Sequence, residues 1–245
     1  MKNKKTKIAI GCVLFFGIVA ASLAITVGYF WEPFYIPSSS MQPTLLPGDL
    51  VWVHKSFNKN ELHVGDVIVF QDAGQAHIKR IAAQAGDRVR LQGAQLFINE
   101  IPILQKSYLF DKRVNRTSCD INLKLSEGET LDSSLMPLPY AQNYKGFSYF
   151  VEHNAARQYW TQYDNKRTSQ DLGEWLVPEN SFFVLGDNRT NSIDSRQHGF
   201  VKIKDVMGKA ESIWFSVTSK VYACGEQPLA WLKLHLRSGR GGRKL

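Results

Sequence analysis

Cysteine is scarce in this chain, with three residues in 245. Cys12 lies in an apolar N-terminal run, while Cys119 and Cys224 stand far apart. No CxxC is present and the six histidines are scattered. This leaves no ligand spacing for a metal site, and no metal or other cofactor is expected. The pairing of Cys119 with Cys224 stays open between a disulfide and two free thiols. Acidic residues are missing before Glu32, where Lys2, Lys4, Lys5 and Lys7 supply half of the net charge of +8. A second basic run, Arg237, Arg240, Arg243 and Lys244, closes the Gly-rich C-terminal end. Charge confined to two ends lacks the basic stripe that a nucleic-acid surface needs, so no nucleic-acid partner is expected. It fits an anionic membrane surface or a solvated tail. The chain has no internal repeat, no low-complexity run, and no long amphipathic helical pattern beyond its first residues. Its aromatic content of 12% excludes wholesale disorder.

The one long apolar run is Ile8 to Trp31, 24 residues without a charge. As a helix it reaches about 36 Å, enough to span a hydrocarbon core with some tilt. The lysines of 1–7 should stay on the cytoplasmic side, and Tyr29, Phe30 and Trp31 close the far end as an interface belt. Ser22-Leu23-Ala24 also offers a small-x-small site for removal of a leader, but the run exceeds the 7–15 residues of a leader core. The segment 8–31 is therefore read as an uncleaved anchor, and either reading puts the rest outside the cytoplasm.

From Asp49 onward the pattern is that of strands. Asp49–Lys55, Asp66–Phe70 and His77–Ile81 are short β-branched and aromatic runs separated by Gly, Asp and Asn. Arg88–Leu91, Gly93 and Gln95–Ile98 predict a hairpin, and Phe182–Leu185 and Ser212–Val217 predict later strands. The expected class is mainly β, of the barrel or sheet kind, preceded by one transmembrane helix. The more polar 106–174, with Tyr159, Trp160 and Tyr163, is read as a smaller β insertion. It interrupts a domain made of 32–105 and 175–222, and 223–245 is a basic tail.

Three segments carry candidate chemistry. Pro37-Ser38-Ser39-Ser40-Met41-Gln42-Pro43-Thr44-Leu45 sets three hydroxyls in a loop that prolines hold extended. Taken alone it is a polar linker. His77-Ile78-Lys79-Arg80-Ile81 alternates so that one of its two cations must share the Ile78 face, which is costly unless that group is paired or neutral. Taken alone it is a surface strand with two solvated charges. Gly186-Asp187-Asn188-Arg189-Thr190-Asn191-Ser192-Ile193-Asp194-Ser195-Arg196 follows directly on an apolar strand. Its two acids and two arginines suit a salt-bridged loop, and such a loop beside a core strand is also where catalytic groups are held.

In this order and behind an apolar anchor, the three segments resemble the motifs of the type I signal peptidases over about half the chain. The resemblance implies a bacterial cytoplasmic-membrane serine endopeptidase with an extracytoplasmic catalytic domain. It would cut signal peptides from exported preproteins after small residues of the Ala-x-Ala kind, through an acyl-enzyme. Its partners would be preproteins and the lipid bilayer, and it would act as a monomer. Ser40 would be the nucleophile and Lys79 the general base. Ser38, with the backbone N–H of Ser40, would form the oxyanion hole. Ser192 would orient the lysine amine, and Asp187, Asp194 and Arg196 would support the loop. Phe34, Ile36, Met41, Leu45 and Ile78 would line shallow pockets for small substrate side chains.

The chemistry is self-consistent, because a serine hydroxyl needs a base and a lysine can act as one if it stays neutral. Each unit by which its pKa falls corresponds to about 1.4 kcal/mol, which burial without a counter-ion supplies. The chain departs from the family at four places. Ser39 replaces a usual glycine, Thr190 a frequent Asp, His77 a common Tyr, and Gln84-Ala85-Gly86-Asp87 a Leu-Pro-Gly-Asp. His198, although near Asp194 and Ser195, is not read as a triad base, since triads are spatial. Ser40 lies nine residues past Trp31, so it stays within about 30 Å of the bilayer surface; Trp214 and Phe215 either dip into that surface or fill the core. Rival readings are a same-fold peptidase that matures a conjugative pilin and an inactive peptide-binding membrane module. A self-cleaving DNA-bound repressor would need a helix-turn-helix, where this chain has an anchor.

Overall fold

The computed structural model describes residues 13–19, 22, 28–56, 58, 61–110, 123–125, 146–166, 173–218, 235–236 and 245. Cys12, Cys119 and Cys224 lie outside them, as do half of the expected anchor 8–31 and most of the tail 223–245. Within 8–31, residues 13–19 and 28–30 are helical. Among the described residues no helix is long and apolar enough to cross a membrane.

The described chain is mainly β. A first sheet is built from β1 (Trp31–Tyr35), β2 (Asp49–His54), β3 (Val67–Asp72) and β4 (Gln75–Gln84). A small sheet follows from β5 (Arg88–Gln92), β6 (Gln95–Ile98) and β7 (Ile101–Pro102), and a third begins with β8 (Leu104–Phe110) and β9 (Leu123–Leu125). The latter is completed by β10 (Phe147–Asn154) and β11 (Arg157–Asp164). After β12 (Gly173–Leu176) the chain returns to the first sheet through β13 (Ser181–Leu185). A single-turn helix α1 (Ser195–His198), β14 (Val201–Lys202), β15 (Val206–Thr218) and β16 (His235–Leu236) complete the order.

The main sheet runs β1-β2-β15-β3-β4-β13-β14, with β16 on β15, and every pairing is antiparallel. It is an open sheet, which corrects the barrel alternative. Its end strands, five-residue β1 and two-residue β14, sit on opposite edges and offer too short a ladder for closure. The predicted hairpin appears as β5 and β6, which pair with β12 and β7. Residues of the expected insertion form the sheet β11-β10-β8-β9.

Apolar alternation explains the packing. In β2 every second residue is buried, and β3 and β13 carry continuous apolar runs because both of their faces are covered. Burying a side chain such as Phe183, which has no exposed surface, stabilises by roughly 1.5–3 kcal/mol. The last strand begins earlier than the expected Ser212 because Gly208 lets β15 approach β2. A Cβ there would stand 2.3 Å from Val53 Cγ1. At Gly48, where φ is +96°, a Cβ would meet the Val217 carbonyl oxygen at 2.0 Å. Only glycine fits this turn, which delivers the chain from the Ser40 loop into β2.

Candidate active site

Sheet order brings the three sequence segments together. β4 carries Lys79 and Arg80, and β13, which leads into the Gly186 segment, pairs with it so that Leu185 faces Arg80. The Ser40 loop follows edge strand β1 and is tied across to the Gly186 segment. The Asn188 N–H donates to the Ser40 carbonyl at 3.0 Å, and Asn188 Nδ2 donates to the Ser39 carbonyl at 3.1 Å. Gly186 has no room for a side chain, since a Cβ would lie 2.6 Å from the Ser40 carbonyl oxygen and 2.2 Å from Ser192 Oγ.

Lys79 Nζ donates to Ser40 Oγ at 2.9 Å and to the Ile78 carbonyl at 2.9 Å. Ser40 is 9% exposed and Lys79 is 5% exposed. Among the described residues Lys79 makes no ion pair. Burial pushes its pKa below the ordinary lysine value, and the Arg196 charge adds to this, while Asp194 and Asp187 pull the other way. Ser38 Oγ lies 3.3 Å from Ser40 Oγ on the exposed side of the loop. His77 stacks on Phe70, and burial together with the Lys79 charge lowers its pKa. His198 Nδ1 lies 3.3 Å from Asp72 Oδ2.

The expected pocket residues converge. Ile36, Met41, Leu45 and Ile78 belong to one apolar cluster, and partly buried Phe34 packs against it. The first three have no exposed surface, so in this structure they lie beneath the site.

Ser192 differs from expectation in one respect. Its Oγ is buried and, among the described residues, has no hydrogen-bond partner, the lysine amine being bonded to Ser40 and Ile78 instead. Asp194 caps α1, pairs with Arg196 at 2.7 Å, and accepts from the Gly186 N–H at 2.9 Å. Ser195 Oγ accepts from the Val184 N–H at 2.9 Å.

The other acid and arginine of this segment do not pair within it. Asp187 takes a two-point bond from Arg80, Nε at 2.8 Å and Nη2 at 2.7 Å, and accepts from Thr44 Oγ1 at 2.5 Å. Burial opposes the charge on Arg80, but the Asp187 carboxylate outweighs it and raises the pKa. Arg80 is thus buried beside Lys79, with a carboxylate where the lysine has a hydroxyl. Arg189 pairs with Glu152 of β10 at 2.5 Å. Sequence reasoning missed Arg80, Thr44, Glu152 and Gln162 as members of the site. A second cation directly after Lys79 was the available signal for Arg80; none existed for the others. Two departures are absorbed locally: Ser39 Oγ accepts from Asn191 Nδ2 at 3.0 Å, and Thr190 Oγ1 accepts from the Asp164 N–H at 2.8 Å.

Residues 9–215 match the family model described as signal peptidase, peptidase S26. The chain belongs to that family. It is a serine peptidase by that membership. It is similar to the Signal peptidase I of Buchnera aphidicola subsp. Baizongia pistaciae (strain Bp), 33% identical over 77% of this chain and 71% of that one. The Signal peptidase I of Pseudomonas fluorescens is 33% identical over 83% of this chain and 69% of its own length. A solved signal peptidase I from Enterococcus faecalis V583 is 24% identical, covers 61% of this chain and 96% of that one, and gives a TM-score of 0.29.

Proposed function

We propose that this chain is a membrane-anchored endopeptidase that removes signal peptides from exported preproteins, with Ser40 as nucleophile and Lys79 as general base. The observation that carries this reading is the 2.9 Å contact between Lys79 Nζ and Ser40 Oγ, both buried, with no carboxylate among the described residues paired to the lysine. With the amine neutral, the same contact serves with the serine O–H donating to the nitrogen lone pair. The bond to the Ile78 carbonyl holds the amine in line.

Ser40 Oγ attacks the scissile carbonyl as its proton passes to Lys79. The developing oxyanion is met by the Ser40 N–H and the Ser38 hydroxyl, donors of a kind worth about 3–4 kcal/mol each. The ammonium then protonates the leaving amine, and a water deprotonated by Lys79 hydrolyses the acyl-enzyme. An extended substrate adds to a strand edge by main-chain bonds. β1 is such an edge and leads straight into the Ser40 loop. Phe34 and the apolar cluster beneath it would leave room only for small side chains, in keeping with Ala-x-Ala sites.

The apolar 8–31 would hold the enzyme in the cytoplasmic membrane, lysines inside and catalytic domain outside. Support comes from an aromatic group on the β1-β2-β15 side. Trp52 stacks on half-exposed Trp214 at 4.7 Å, and Trp214 meets Phe215 edge-on at 5.0 Å, as befits a surface facing lipid headgroups. In this reading 32–105 and 175–222 form the catalytic unit and 106–174 is an insertion within it.

The test is cleavage of a model preprotein by detergent-solubilised wild type, Ser40→Ala and Lys79→Ala, with the new N-terminus sequenced. Only wild type should cut, after a small-x-small site, and its rate should rise with pH as Lys79 passes its lowered pKa. Cleavage by both variants would refute the Ser/Lys assignment. A wild type that leaves the preprotein intact would refute the substrate class.

A further inference from the structure

The sheet β11-β10-β8-β9 has no assigned task, yet its β10-β11 hairpin makes a dense set of contacts with the Asp187–Thr190 segment. Gln162 N–H donates to the Asp187 carbonyl at 2.9 Å, and Arg189 N–H donates to the Gln162 carbonyl at 2.9 Å. The segment is thereby added to β11 as a short parallel bridge, Gln162 to Asn188. Asp164 N–H donates to Thr190 Oγ1. Gln162 Nε2 reaches further, donating to Gln42 Oε1 of the nucleophile loop at 3.3 Å. Beneath these contacts Arg189, 2% exposed, is held by Glu152, 0% exposed. The second Glu152 oxygen accepts from Gln105 Nε2 at 2.9 Å and Thr161 Oγ1 at 3.3 Å, so the carboxylate is itself fixed from two further strand positions. Arg189 also donates to Tyr163 Oη at 3.4 Å.

We propose that Glu152 and Gln162 are positioning residues for the nucleophile, so that the inserted sheet is the buttress against which the Ser40–Lys79 pair is aligned. The inference rests on the Ser40–Lys79 reading and extends it to residues that touch neither group. The chain of contact is short. Glu152 holds Arg189; Arg189 is followed back by Asn188, whose N–H holds the Ser40 carbonyl, and by Asp187, which holds Arg80 and Thr44. A buried, two-sided carboxylate on a buried guanidinium is a rigid joint rather than a solvated surface pair. Burial opposes the charge on Arg189, but Glu152 outweighs it and holds its pKa well above the ordinary value, so the guanidinium stays charged.

The experiment measures kcat, KM and melting temperature for the full chain in detergent, across pH 6–10, on one preprotein. Small misplacements of reacting groups cost up to about 100-fold in rate. Glu152→Gln should therefore lower kcat about 10- to 100-fold while KM stays within about twofold. The midpoint of the alkaline rise should move upward as water enters around Lys79. Gln162→Met, which keeps both backbone bonds of β11, should melt within about 4 °C of wild type, the shift expected for about 1 kcal/mol. Its kcat should still fall about 3- to 10-fold, and Gln162→Glu should restore most of it, because the Gln42 amide can turn to donate. If Glu152→Gln does not fold, the Gln162 pair decides. Wild-type kcat and an unmoved pH midpoint in the folded variants would overturn the proposal. A Ser40→Ala control that still cuts would sink the Ser/Lys reading instead.

Discussion

Replacing Asp187 by Asn should be among the most damaging isosteric changes available to this protein. The side chain keeps its shape and one acceptor oxygen but loses its charge. Asp187 is 0% exposed and Arg80 is 3% exposed, joined by two bonds of 2.8 and 2.7 Å. Arg80 has further contacts, its Nη1 donating to the Gly65 carbonyl at 2.7 Å and its guanidinium lying 4.3 Å from the centre of the Tyr159 ring. Neither is an anion, so the substitution leaves a guanidinium uncompensated in the interior. Breaking a buried pair from one side costs about 3–5 kcal/mol. At about 2–4 °C per kcal/mol for a chain of this size, the melting temperature should drop by about 6–20 °C. Calorimetry on the solubilised full chain reads this directly. The double variant Asp187→Asn with Arg80→Met removes the orphaned charge as well, and should regain at least half of the loss. A single-variant drop under about 2 °C, or a double variant whose loss is the plain sum of the two singles, would refute the reasoning. In that case the pair would be contributing no more than a solvent-exposed one does.

Lys79→Met should be more stable than wild type at pH 6, with the gap closing toward pH 10. The lowered native pKa means that the unfolded chain holds this proton to a higher pH than the folded one. Wild-type stability therefore rises with pH between the native value and about 10.4. Melting curves at the two ends of that range check it, and a gap that is constant or widens with pH would contradict the buried-amine account. Gly186→Ala should lower kcat at least about tenfold and stability by about 1–3 kcal/mol, since its new methyl needs the space of Ser192 Oγ and the Ser40 carbonyl. Parallel assays of turnover and melting would show it, and a variant with wild-type values in both would mean that the loop can yield.

The strands were legible because period-two alternation and turn residues act locally. Gly93 between two apolar runs marks the β5-β6 hairpin, and the wholly buried β13 stands out as an uninterrupted apolar run. The start of β15 was not legible, because Gly208 reads as a breaker until β2 is seen packed against it. At the site, residue type and motif order pointed to Ser40 and Lys79, but the pattern of β4 alone left its cations as solvated charges. Both prove to be buried, and what lets them be so is supplied from elsewhere: a hydroxyl from the loop after β1 for one, a carboxylate from the loop after β13 for the other. The loop at 187–196 looked able to satisfy its own charges, and only Asp194 and Arg196 do so. Asp187 reaches 107 positions back to Arg80, and Arg189 reaches 37 positions back to Glu152. Such partners depend on β4 lying beside β13 and on where β11 meets the loop after it, which sheet order decides and local spacing does not encode. That same division explains the asymmetry between Lys79 and Arg80. Two adjacent cations of one strand point to opposite faces, and the face that receives a carboxylate keeps its charge, while the face that receives only a hydroxyl and a carbonyl favours a neutral amine.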